Sequence, residues 1–219
     1  MKTKSILAVF LSAVTALALL AGCTNSQSAG NTTQSATQGQ MLFPGAIPDS
    51  DTLAATIFDP AIALYRDFDG LDDIKTADET CTAPLDGNDQ TFSLVDDPRY
   101  PTYQSFVDAL GNCFSDELVQ NLLAKGYYIE QDGKFYALGA ARGSNIYFHD
   151  VTYAVTSQTQ GRVVFTATAR YIDDTSPTDW LDMPAGTVIP DSALTSTDYQ
   201  YDYELINGKW VFTDFQLFY

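Results

Sequence analysis

At Tyr127 the hydrophobic pattern of this chain changes period, and that change limits the folds open to it. Before it, apolar residues recur every three or four positions; after it they alternate. Tyr103, Phe106, Val107 and Leu110 stand at i, i+3, i+4 and i+7, one apolar helix face that starts at Pro101 and is ended by Gly111-Asn112. Ser115 is placed to cap the next helix. Asp116 and Glu117 lie in its first turn, Leu118, Val119, Leu122 and Leu123 on its buried side, and Gly126 serves as C-cap. Upstream, Asp49, Ser50 and Asp51 open a segment carrying Leu53, Ile57, Ile62, Leu64, Tyr65 and Phe68, which Pro60 kinks or divides. The stretch 67–90 is acidic and rich in turn residues, with Asp69-Gly70 and Asp86-Gly87, and reads as a loop.

After Tyr127 the signals are those of antiparallel strands. Segments 127–131 and 134–138 flank Asp132-Gly133, a hairpin turn pair. A loop over 139–145 leads to strands at 146–157 and 162–172, joined near Gly161. A long connection over 173–196, with Pro177, Pro184 and Pro190, precedes a last hairpin, 199–206 and 209–219, turning at Asn207-Gly208, with Trp210 and Phe212 on one face. Helices first and strands after predict an α+β domain, its helices packed on one face of a curved antiparallel sheet.

The N-terminus carries an export address. Lys2 and Lys4 are followed by an apolar run over 6–20 and then by Leu20-Ala21-Gly22-Cys23. A basic start, a short apolar core and small residues before the cut define a signal peptide, and the run is shorter than the about 20 apolar residues a membrane span needs. Small residues directly before a cysteine match the bacterial lipobox. Residues 1–22 are therefore read as a lipoprotein signal peptide and Cys23 as the lipidated first residue of the mature chain. Residues 23–40 are rich in Ser, Thr, Gln and Ala and carry no charge, the composition of a flexible tether. This places the chain outside the cytoplasm, held to the outer face of the membrane by lipid alone.

Residues 41–219 have the length and the Tyr, Phe, Val and Leu content of one globular domain. With Lys2 and Lys4 removed, nine of the 11 basic residues remain against 28 acidic ones, a formal charge of −19. That balance disfavours nucleic acid and anionic headgroups; it suits a basic partner or simple solubility. Cys81 and Cys113 remain, and an exported chain can keep a disulfide. A bridge closing a loop of about 30 residues and two buried thiols are both open.

Few residues suggest catalysis. His149 is the single histidine, which leaves no multi-histidine metal site, and neither cysteine has a nucleophile motif around it. There is no Gly-x-Ser-x-Gly, phosphate-binding glycine loop or zinc spacing. The run from Asp67 to Asp73 resembles a calcium loop only in part: with Gly70 at position 6, positions 1 and 12 fall on Tyr65 and Thr76, neither a suitable ligand. A solvated acidic loop is the reading for it. No metal, cofactor or enzymatic activity is expected.

A series of short pieces resembles one family. Phe114-Ser115-Asp116-Glu117-Leu118, Gly126-Tyr127-Tyr128, Asp132-Gly133-Lys134-Phe135-Tyr136, Ala141-Arg142-Gly143-Ser144-Asn145-Ile146 and Asn207-Gly208-Lys209-Trp210 follow one another in an order similar to the IseA-type inhibitors of cell-wall DL-endopeptidases, over roughly 100–219. One departure is Ala141, where the family carries an acid. The resemblance implies a monomeric, non-catalytic Gram-positive envelope protein that blocks NlpC/P60-type peptidases, which cut peptidoglycan stem peptides with a Cys-His site. It makes Arg142 and Ser144 the candidate partner contacts, with a structural loop arginine as the other reading of Arg142. A domain of NTF2-like or cystatin-like architecture, serving as a ligand-binding or accessory module of the envelope, is the alternative. The two differ in one visible feature: a deep pocket between helices and sheet marks the module, a closed core with a projecting acidic face the inhibitor.

Overall fold

The computed structural model describes residues 40–72, 74–139, 143–175, 178, 180–184 and 186–219. The signal segment, Cys23, most of the tether and Arg142 lie outside the described residues.

Helix α1 (Ser50–Leu53), a π-helical turn (Ala54–Phe58) and α2 (Asp59–Asp69) follow without a break. Asp49 caps the start, its Oδ1 accepting from the Thr52 N–H at 2.9 Å. Pro60 divides the segment as its chemistry requires. It offers no N–H to the ladder, and the turn before it widens so that the Asp59 N–H donates to the carbonyl of Ala54, five residues back.

The chain next forms a hairpin of β1 (Thr76–Leu85) and β2 (Asn88–Val95) where a loop was expected over 67–90. Asp86 and Gly87 form its turn, both with positive φ (52° and 79°). Asp132-Gly133 and Asn207-Gly208 close two further hairpins in the same way, the geometry whose twist matches the flanking strands.

Helix α3 (Tyr103–Cys113) starts at a capping box between Thr102 and Ser105. It runs through Gly111 and Asn112 instead of ending there. The Lys209 Nζ closes this end, donating to the Gly111 carbonyl at 2.6 Å and Asn112 Oδ1 at 2.8 Å. Ser115 caps α4 (Asp116–Leu123) as expected, and Gly126 takes a left-handed conformation just beyond its end.

Strands β3 (Tyr128–Gln131) and β4 (Lys134–Leu138) join the first hairpin in a four-stranded antiparallel sheet, order β1-β2-β4-β3. Strands β5 (Phe148–Thr159), β6 (Arg162–Ile172), β7 (Leu194–Ile206) and β8 (Lys209–Phe212) form a second one in chain order. The α+β class expected from the sequence is what folds, with two sheets in place of one. The last strand stops at Phe212 and not at Tyr219. Past it the chain leaves the ladder, and Phe215 and Phe218 turn into the core.

Along β6, Val163, Phe165, Ala167 and Ala169 are fully buried, while Arg162, Thr168 and Arg170 alternate onto the outer face. Against the buried face lies Phe58, itself without exposure. Its ring stacks on Tyr153 at 4.0 Å and meets Phe165, Tyr201 and Phe212 at 5.4–5.5 Å. Helix α3 covers the first sheet through Phe106, which contacts Phe135 and Tyr128. The space between helices and sheets is filled by rings in edge and stacked contacts, a close-packed interior.

Candidate functional site

One end of the second sheet gathers the features that a binding surface needs. There β5 begins, β6 ends and β7 begins. The Ile172 N–H donates to the Tyr147 carbonyl (2.8 Å), the Asp173 N–H to that of Ala193 (2.9 Å), and the Ala193 N–H to that of Pro190 (2.8 Å). The loops 143–147 and 173–193 therefore spring from a hydrogen-bonded base. Arg170 ties that base together. Its Nε donates to Asp150 Oδ1 at 2.6 Å, its Nη2 to the other Asp150 oxygen, and its Nη1 to Asp191 Oδ1 at 2.9 Å. The Asp150 carboxyl is held below its ordinary range chiefly by these bonds from Arg170, and the guanidinium is correspondingly raised.

The two loops carry exposed apolar side chains and acidic residues. Val188 is 86% exposed and Ile146 67%, with Leu181 and Met183 also exposed. The 173–193 connection carries five aspartates and no basic residue. Ser144, one of the two contacts implied by the resemblance, is exposed in the same loop as Ile146. Arg142, the other, lies outside the described residues.

The residues weighed for chemistry are dispersed. Cys81 stands on β1, opposite Phe92. Cys113 ends α3 and packs against the core. Both are free thiols, so the bridge left open by the sequence is not formed. Each thiol is pushed up, Cys81 by desolvation and then by Asp132 and Glu79, Cys113 by burial. A raised thiol is a poor nucleophile at neutral pH. His149 sits on β5, its Nδ1 3.3 Å from Asp150 Oδ2. Among the described residues, no cluster of three or more His, Cys, Asp or Glu could hold a metal, and no helix is long and apolar enough to cross a membrane.

The acidic run 67–73 is not a solvated loop throughout. Asp72 pairs with Arg66, whose Nη2 and Nε donate to its Oδ1. Asp67 is 3% exposed and takes part in a charged network with Asp97, Arg99 and Tyr100 that sequence reasoning missed. The Arg99 Nη1 donates to both Asp67 oxygens (2.9 and 2.8 Å), its Nε and Nη2 to Asp97 (3.1 and 2.8 Å), and the Tyr100 hydroxyl to Asp67 Oδ2 (2.6 Å). Asp97 also accepts from the backbone N–H groups of Arg99 and Lys75. Its carboxyl is held far below the usual range, mainly by the Arg99 bonds. Burial and the bond to Asp67 push the Tyr100 hydroxyl well above its ordinary value. With these oxygens engaged, the network joins the end of α2 to the β2–α3 junction. The signal for it was Asp97-Pro98-Arg99-Tyr100, a charged turn directly before a helix cap.

A shallow groove of about 530 Å³ runs between α3 and α4, with Val107, Val119 and Leu123 inside and Gln104, Gln120 and Lys209 among its polar edges. Comparison of the sequence with known protein families and with curated proteins gives no match.

Proposed function

We propose that this chain is a lipid-anchored extracytoplasmic protein that binds NlpC/P60-type DL-endopeptidases of the cell wall and inhibits them, with no catalytic role of its own. The observation that carries this reading is the sealed contact between the helices and the second sheet. Phe58, Phe165, Tyr201 and Phe212, each no more than 1% exposed, fill the place where a ligand-binding cone would be hollow. The surfaces left for recognition are external, and the most prominent is acidic and apolar. The formal charge of −19 that remains once Lys2 and Lys4 are removed would speed encounter with a basic groove. A lipid on Cys23 would keep the domain at the membrane face, where newly exported peptidases emerge.

The second reading, an accessory module that holds a small wall fragment, is favoured by one feature, the α3–α4 groove. Its open, shallow form suits a weak contact more than an enclosed ligand.

Digestion of peptidoglycan by a DL-endopeptidase of the same organism, with increasing amounts of the full chain in detergent, separates the two. Inhibition with a one-to-one end point is expected. Undiminished digestion at excess, across the host's peptidases of this class, would reject the inhibitor in favour of the module. In the same assay Arg142→Ala is expected to weaken inhibition; an unchanged titration would remove Arg142 from the contact.

A further inference from the structure

We infer that the groove between α3 and α4 is a binding site for a short extended peptide that carries a long-stemmed cationic side chain of the lysine type. This goes beyond the inhibitor reading and stands without it.

Space is the first argument. The groove holds about 530 Å³, inside the range of about 300–1,000 Å³ found for small-ligand sites. Only Phe114 and Ser115 separate the two helices, and the Phe114 ring turns away into the core. Gly111 keeps the α3 wall low: a Cβ built there would meet nothing within 4 Å. Its backbone is ordinary helix without a positive φ. The conformation therefore does not require glycine, and what its missing side chain leaves is room in the groove.

The lining is the second. Val107, Val119 and Leu123 make an apolar floor. Gln104, Asp108 and Asn112 follow one another at intervals of four along α3, and Asp116 and Gln120 do so along α4. Each helix thus presents one row of hydrogen-bonding side chains beside the floor. Side-chain amides both donate and accept, as peptide groups do. Among the described residues no aromatic ring lines the groove, so a sugar has no face to stack on.

Charge is the third. Asp108 and Asp116 are both exposed. Asp108 accepts from Gln104 at one oxygen, Oδ1, and among the described residues neither carboxylate joins an ion pair, whereas Arg66, Arg99, Lys134, Arg162 and Arg170 all pair with acids elsewhere. Lys209, the cation of the lining, is engaged with the Gly111 carbonyl and Asn112 Oδ1. Two open carboxylates beside an apolar floor suit a ligand that is apolar along its stem and cationic at its tip. A lysine side chain lays its methylenes on such a floor while its ammonium stays in water next to a carboxylate. An anionic ligand is repelled.

The test titrates the full chain, isotope-labelled and in a neutral detergent, with three blocked tripeptides, and reads amide chemical shifts and affinity. The first is acetyl-Ala-Lys-Ala-amide. In the second norleucine replaces lysine, keeping the stem without the charge; in the third diaminopropionate keeps the charge on a short stem. The lysine peptide is expected to shift the amides of α3 and α4 around the groove and to bind about threefold to tenfold more tightly than either analogue, the scale of exposed ion pairs and of a few partly covered methylenes. Gly111→Leu fills the groove. It should weaken the lysine peptide about tenfold or more, with a thermal midpoint no lower than wild type's, because leucine is the better helix former. Asp108→Asn/Asp116→Asn should lose the preference for lysine over norleucine. Asp51→Asn/Asp89→Asn, which removes as much charge from exposed positions elsewhere, should keep it. A lysine peptide that shifts no amide of the groove, or that binds no better than norleucine, overturns the site. So does one that binds Gly111→Leu or Asp108→Asn/Asp116→Asn as it binds wild type. Each of these results leaves the inhibition assay untouched, so the two readings stand or fall separately.

Discussion

Replacing Phe58 with alanine is expected to lower the unfolding free energy by about 3–5 kcal/mol, the range for a buried phenylalanine whose surroundings do not collapse. The reason is its position. The side chain sits on the π-helical turn, has no exposure, and meets rings from β5, β6, β7 and β8: Tyr153, Phe165, Tyr201 and Phe212. Those rings are held by one another and by the C-terminal segment, where Phe215 meets both Tyr201 and Phe212. They are poorly able to move into the gap, and the lost contacts stay lost. Urea unfolding would report a lower midpoint at an unchanged slope. Phe58→Leu, which keeps most of the volume, should cost less than about 1.5 kcal/mol. If alanine cost as little as leucine, the helix–sheet contact would not be sealed, and the observation behind the proposed function would be lost.

Arg99→Ala is the second large effect. It removes the guanidinium that neutralises Asp67 and Asp97, which are 3% and 4% exposed. Stripping the partner from a buried carboxylate costs about 3–5 kcal/mol. Here the arginine side chain is 48% exposed, so water already shares in its stabilisation and can reach the gap, and about 2–3 kcal/mol is expected. Arg99→Lys should recover only part, because an ammonium cannot serve both carboxylates through a planar fork. The same network sets an acid dependence. The folded Asp97 carboxyl is depressed below its unfolded value. Its stabilisation is therefore complete above the unfolded pKa of about 3.9 and is lost as pH falls from there toward the folded value. Wild type should lose stability below about pH 4, and Arg99→Ala should lose less over that interval, since the depression comes mainly from Arg99. Parallel pH profiles for the two proteins would contradict this assignment.

The parts of the fold legible in the sequence share one property: the local signal and the tertiary contacts agree. Asp132-Gly133 and Asn207-Gly208 can form tight turns, and the strands beside them alternate. Ser115 and the acids after it mark a helix start that the structure keeps. Where the signal failed, a distant partner supplied what the local chain lacked. Gly111-Asn112 reads as a helix stop, but Lys209, almost a hundred residues on, donates to the Gly111 carbonyl and to the Asn112 side-chain oxygen. Strand β1 was hidden because it is an edge strand with little burial, so Thr80, Thr82 and the acids around them produce no apolar alternation. Its turn, Asp86-Gly87, was visible but lacked hydrophobic runs on both sides. The end of β8 was misplaced because Phe215 and Phe218 continue the apolar pattern while serving as plugs outside the ladder.

The candidate site was legible only in outline. The 173–196 connection stood out by its prolines, yet nothing local says that it meets the loop before β5 at one end of a sheet; β5–β6 and β6–β7 pairing decides that. Of the Asp67–Arg99–Asp97 network only the local half, Asp97-Pro98-Arg99-Tyr100, left a mark in the sequence; Asp67, 32 residues from Arg99, gave none. For the two cysteines the sequence leaves a bridge and two buried thiols both open, since an exported chain allows a disulfide. Their placement on β1 and at the end of α3 leaves both as free thiols.

The most direct measurement of the central claim follows the peptidase and not its product. Alkylation of the catalytic thiol of an NlpC/P60-type DL-endopeptidase would be timed with and without one equivalent of the full chain in detergent. Occlusion of the groove predicts that the thiol is protected in proportion to complex formed, and that protection fades with added salt as the acidic face is screened. A thiol alkylated at the same rate in the presence of saturating protein would contradict the account, whatever happened to the rate of digestion.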